Sequence, residues 1–66
     1  MRGKVVRVVS DKGFGFIRAE DGLDYFFHKS GISDGRVWEQ IVVGHQCVFE
    51  PVEGPKGLRA AEVKVQ

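Results

Sequence analysis

Glycine and proline interrupt this chain so often that no apolar run outlasts a short β-strand. Nine glycines and two prolines fall among 66 residues. The runs between them are rich in valine, phenylalanine and isoleucine, and none keeps the 3.6-residue apolar spacing of a helix. The pattern predicts five strands, over 3–9, 14–19, 23–29, 46–52 and 58–65. Ser10-Asp11-Lys12-Gly13, Glu20-Asp21-Gly22 and Gly54-Pro55-Lys56-Gly57 supply turns. The longest connection, 30–45, has room for a short 3₁₀ turn after Ser30 but for no full helix. Pro51 lacks a backbone donor and suits an edge or bulge of the fourth strand. Five short strands cannot cover both faces of an open sheet. A small closed or nearly closed antiparallel barrel can, and it removes the exposed edges as well. The expected architecture is all-β, one domain over 1–66.

Composition narrows the function classes. No run of 18 apolar residues is present, so no transmembrane helix is expected. The first residues lead straight into a β-like stretch with no signal-peptide apolar region. Cys47 stands alone, so no internal disulfide is available, and a cytoplasmic setting is expected. The formal net charge is +1, too small to name an acidic partner by itself. Any electrostatic argument rests on where the charges lie.

The informative segment is Lys12-Gly13-Phe14-Gly15-Phe16-Ile17. Alternate side chains of a strand share a face, so Phe14 and Phe16 point the same way, and the glycines leave the opposite face open to close packing. Such a pair is by itself more often core than platform. The next strand, Asp24-Tyr25-Phe26-Phe27-His28-Lys29, changes that weighting. If Tyr25 and Phe27 fill the barrel, Phe26 and His28 face outward. Phe14, Phe16, Phe26 and His28 then form one exposed cluster across the hairpin. Exposed aromatic clusters mark binding sites, and unpaired bases stack on such rings at about 1–3 kcal/mol each.

These residues resemble a known family. Lys12 to Ile17 reads as a first ribonucleoprotein motif, and Tyr25 to Lys29 resembles the second. Their order and spacing resemble the cold-shock domain. The likeness runs from Gly3-Lys4-Val5, through Ser30-Gly31-Ile32, to Val52-Glu53-Gly54, Gly57, Ala60-Ala61 and Val63. It implies a five-stranded antiparallel OB-type barrel that binds single-stranded RNA or DNA, as an RNA chaperone or a regulator of transcription and translation. An RNA-recognition-motif domain uses a similar glycine-phenylalanine motif, but with the motifs in the opposite order and on a longer chain with two helices.

The chain departs from the family pattern at two places. Arg7-Val8-Val9 stands where the family has a tryptophan-phenylalanine-asparagine run, and His28-Lys29 where it has histidine-phenylalanine. Each site has a cation in place of a ring. Arg7 can stack on a base or pair with a phosphate, whereas Lys29 acts mainly as a point charge. Binding should then depend more steeply on salt. Lys12 opens the motif at the turn beside the platform, and Lys4, Arg18, Lys56 and Arg59 are further candidates for a basic surround. Two placements suit Trp38: over the platform, stacking on a further base, or against the barrel flank. Its mostly polar neighbours favour the first. Asp24 is either an acceptor for a base edge or an ordinary strand-entry carboxylate.

Little points to catalysis. His45 and Cys47 are two potential ligands, fewer than a zinc site requires, and Cys47 reads as a small buried apolar residue. No nucleophile–base pair, carboxylate pair or phosphate-cradling loop is visible. The expectation is a monomer with no enzymatic activity, metal or cofactor, whose partner is single-stranded RNA or DNA. The predicted site comprises Arg7, Lys12, Phe14, Phe16, Phe26, His28, Lys29 and Trp38. The rival reading is a protein-interaction module that docks an apolar partner on the same patch.

Overall fold

The computed structural model describes residues 1–33 and 35–66, with the side chains at 35–37 excepted. Five strands are formed: β1 (Arg2–Val9), β2 (Phe14–Ala19), β3 (Asp24–His28), β4 (Gln46–Gly54) and β5 (Gly57–Val65). Their ends fall within two residues of the sequence expectation. They close into a barrel in the order β1-β2-β3-β5-β4, with β4 returning to β1 through Arg2↔Val48, Gly3↔Cys47 and Lys4↔Gln46. Every seam is antiparallel except β3–β5, which runs parallel and pairs at Phe26↔Arg59. Pro51 lies beyond the stretch of β4 that pairs with β1, so its missing donor faces an open edge, as its chemistry requires. Among the described residues, no helix is long and apolar enough to cross a membrane.

Two β-bulges set which side chains face inward. In β1 the register slips between Val5 and Arg7: Val5 pairs with Ile17, and Arg7 pairs with Phe16. Simple alternation would turn Arg7 to the same side as buried Val5. The extra residue, Val6, re-aims Arg7 to the outer face beside Phe16. The second bulge lies between β4 and β5. Val48 pairs with Lys64 and Glu50 with Ala61, which leaves an extra residue in β5. Glu62 takes it up with φ of 49°, a left-handed conformation unusual for a residue with a side chain. As a result Ala60 and Val63 are both buried although they are three residues apart.

The core is formed by Val5, Ile17, Ala19, Tyr25, Phe27, Cys47, Phe49, Ala60 and Val63 from the strands, with Ile32, Trp38 and Ile41 from the long connection. Gly15 is the close-packing point of the hairpin. A Cβ there would lie 2.5 Å from the Arg7 carbonyl oxygen and 2.8 Å from the Phe27 ring. Tyr25 is held from the turn, where its hydroxyl donates to Asp21 Oδ2 at 2.7 Å, while the Leu23 N–H donates to Asp21 Oδ1 at 3.0 Å.

The long connection contains two 3₁₀ helices, η1 (Lys29–Gly31) and η2 (Gly35–Gln40). The first is the turn expected near Ser30, and the second was not signalled by local sequence. The placement of Trp38 over the platform is corrected by η2. Trp38 is only 9% exposed and packs edge-on against Phe27, with centroids 5.9 Å apart at 70°. Polar neighbours in sequence did not predict this, because η2 brings Trp38 together with Ile41 on the barrel. Buried apolar area outweighs the polarity of the flanking residues.

Candidate nucleic-acid interface

The outer face of β2 and β3 carries the aromatic cluster in cross-strand register. Phe14 pairs with His28, and Phe16 pairs with Phe26. The bulge in β1 adds Arg7 beside Phe16, and the parallel seam adds Arg59 beside Phe26. One row therefore reads Arg7, Phe16, Phe26, Arg59 across four strands. A second row holds Val9, Phe14 and His28.

Phe14, Phe16 and Phe26 are half-buried because they shield one another's edges. Phe14 and Phe26 lie 5.5 Å apart at 32°, Phe16 and Phe26 5.9 Å apart at 74°, and Phe14 and Phe16 6.2 Å apart at 86°. These are favoured edge-to-face and tilted packings. The rings are not coplanar, so they offer separate stacking surfaces rather than one flat plate. His28 is fixed beside them: its Nδ1 accepts from the Ser30 N–H at 3.1 Å and lies 2.9 Å from Ser30 Oγ. An Nδ1 that accepts leaves the ring proton of the neutral imidazole on Nε2, which can then donate.

Lys29 and Lys12 converge on the turn preceding β2. The Lys29 N–H donates to the Gly13 carbonyl at 2.9 Å. Gly13 has φ of 73°, and its missing side chain leaves room for the Lys29 methylenes, which would lie 3.1 Å from a Cβ there. Lys12, one residue away, is exposed. Arg18 is taken up in the ion pair with Asp24 at 2.9 Å, so Asp24 is the strand-entry carboxylate and not a free acceptor. Seven of the eight predicted site residues thus lie on or beside one face, and Trp38 is the exception.

Sequence reasoning placed Arg59 and Lys56 only loosely around the site. In the structure they line an open cleft of about 890 Å³, together with Phe16, Phe26, Val52, Pro55 and Leu58. Glu53 lines it too, so an acidic residue reaches this end of the surface. The missing signal is the parallel β3–β5 seam, which joins segments far apart in sequence. Cys47 is buried, and burial pushes its thiol up to about 11. No group of three or more metal-ligating side chains occurs among the described residues.

Comparison with known proteins agrees with this geometry. The 'Cold-shock' DNA-binding domain matches residues 1–66. The chain belongs to the cold-shock domain family. Cold shock-like protein CspC of Bacillus cereus is 44% identical over 64 residues, covering 96% of this chain and 95% of that protein. A cold shock-like protein of Thermotoga maritima is 45% identical over 65 residues, covering 98% and 97%. Cold shock protein CspB of Geobacillus stearothermophilus is 40% identical over 62 residues, covering 94% and 92%. Cold-shock domains bind nucleic acid without enzymatic chemistry, and this member carries a partly exposed aromatic cluster on the outer face of β2 and β3.

Proposed function

We propose that the protein binds single-stranded RNA or DNA by stacking unpaired bases on Phe14, Phe16, Phe26 and His28. Arg7, Lys12 and Lys29 meet the phosphates between them. The observation that carries this reading is the register of the outer face, in which Arg7 and the three phenylalanines fall side by side. A duplex hides its base faces, so the site selects unpaired strands. Binding of that kind acts by mass action: it holds RNA open and draws its folding equilibrium toward the unpaired state without ATP. A cytoplasmic monomer acting as an RNA chaperone, or as a regulator of transcription or translation, fits such a mechanism. Trp38 has no part in this site.

The test is fluorescence anisotropy of a labelled pyrimidine oligonucleotide, single-stranded and as duplex, over a range of salt. The expected result is saturable binding of the single strand, much weaker binding of the duplex, and log affinity falling with log salt at a slope of about −2 for three phosphate contacts. Absence of binding at micromolar protein would refute the proposal. Binding of the single strand that is indifferent to salt would leave the stacking rings in place and remove Arg7, Lys12 and Lys29 from the phosphates.

A further inference from the structure

The cleft beside Phe26 is unlike the rest of the aromatic face. Its floor is Phe16 and Phe26, and its walls include Val52, Pro55 and Leu58. Its volume, about 890 Å³, exceeds that of a single base and leaves room for the attached sugar. Arg59 stands directly across the parallel seam from Phe26, one strand spacing of about 4.8 Å away. It is exposed, and the ion pair formed among the described residues is Arg18–Asp24, which leaves the Arg59 guanidinium unengaged by Glu53. Apolar walls and a carboxylate on the lining favour a base over a phosphate in this cleft.

A base stacked on Phe26 presents its edge to Arg59. The guanidinium carries parallel N–H donors, and the edge that matches them best is one with two adjacent acceptors. Guanine offers O6 and N7 in that arrangement, and Arg with guanine is the commonest bidentate side chain–base pairing. Adenine places an amino donor where O6 would be. Uracil has no adjacent pair of acceptors. Cytosine has one, at its pairing edge, but only a single ring to cover the phenylalanine. Lysine at this position would supply the charge without the fork.

Building on the single-strand reading above, we propose that Arg59 makes the cleft a guanine-selective subsite, so that the protein prefers strands with a guanine at one fixed place. The stacking rows accept any base, and Arg59 supplies the sequence preference.

The test uses labelled heptauridylate and its single-substitution variants, with guanosine, adenosine or cytidine at each position, read by anisotropy. Guanosine at one position should tighten binding about 5-fold or more over uridine there, as one bidentate pair allows, while adenosine and cytidine should not. Replacing that guanosine with 7-deazaguanosine, which removes the N7 acceptor, should abolish the gain without altering the protein. Arg59→Leu should lose the preference for guanosine, binding the guanosine strand no more tightly than it binds heptauridylate itself. A flat guanosine scan, a preference for another base, or a preference that survives Arg59→Leu or 7-deazaguanosine would overturn the assignment while leaving single-strand binding intact. Failure of heptauridylate and every variant to bind would overturn the single-strand reading itself, and this subsite with it.

Discussion

The two faces of the β2–β3 hairpin carry residues of the same chemical type. Inward, Ile17, Tyr25 and Phe27 are buried in the barrel. Outward, Phe14, Phe16 and Phe26 touch one another and keep part of their rings in solvent. Phe26 and Phe27 are neighbours in sequence, and the pleat alone separates them. The inner rings make most of their contacts within the molecule, whereas the outer rings have contacts left to make. A large apolar side chain therefore says little about its role until its face is known. Its neighbours, Arg59 across the seam from Phe26 and Trp38 of η2 packed on Phe27, then distinguish binding from packing.

The largest effect should come from the inner face. Phe27 is 1% exposed, so Phe27→Ala should cost about 3–5 kcal/mol in urea unfolding. That is much of the roughly 3–10 kcal/mol a domain of this size has. Gly15→Ala comes next, because its Cβ meets both the Arg7 carbonyl and the Phe27 ring. A loss of about 1–3 kcal/mol is expected, along with weaker oligonucleotide binding, since Gly15 sits between Phe14 and Phe16 and opposite Val8. A change in stability without any change in binding would mean the two faces are less coupled than the register implies. Glu62→Gly should do the reverse and stabilise the barrel by about 1 kcal/mol, by relieving the left-handed backbone, with binding unchanged.

The smallest effect is one of pH. Hydrogen bonds from the Leu23 N–H and the Tyr25 hydroxyl hold the Asp21 carboxyl below the usual carboxylate range. A depressed folded value means that its contribution is present above the ordinary carboxylate pKa and is lost as pH falls through the folded one. The acid limb of the stability–pH curve should therefore be shallower in Asp21→Asn than in the wild type, as followed by thermal unfolding. The bond with Asp21 also raises Tyr25, so the Tyr25 contribution is complete below the ordinary tyrosine range and is lost as pH rises through the folded value.

Much of this was legible in the sequence. Period-two alternation and glycine turns located the five strands, and alternation in Asp24–His28 separated Tyr25 and Phe27 from Phe26 and His28. What was not legible depends on departures from local periodicity. Strict alternation would place Arg7 on the Val5 side, and a bulge puts it on the outer face. Arg59 reaches Phe26 through a parallel pairing between segments distant in sequence. Trp38 looked like a loop residue because η2 is short and polar in sequence, yet its indole is buried in the core against Phe27. Its fluorescence is consequently a probe of unfolding, not of the platform.

The most direct test of the division between the two faces is to measure stability and binding on the same preparation of Phe26→Ala. Loss of an outer ring should shift unfolding by about 1 kcal/mol or less. It should weaken a single-stranded oligonucleotide by about 5-fold to 150-fold, the equivalent of one stacked base. A variant that loses several kcal/mol of stability, or one that binds as tightly as the wild type, would contradict the assignment of Phe26 to the binding face.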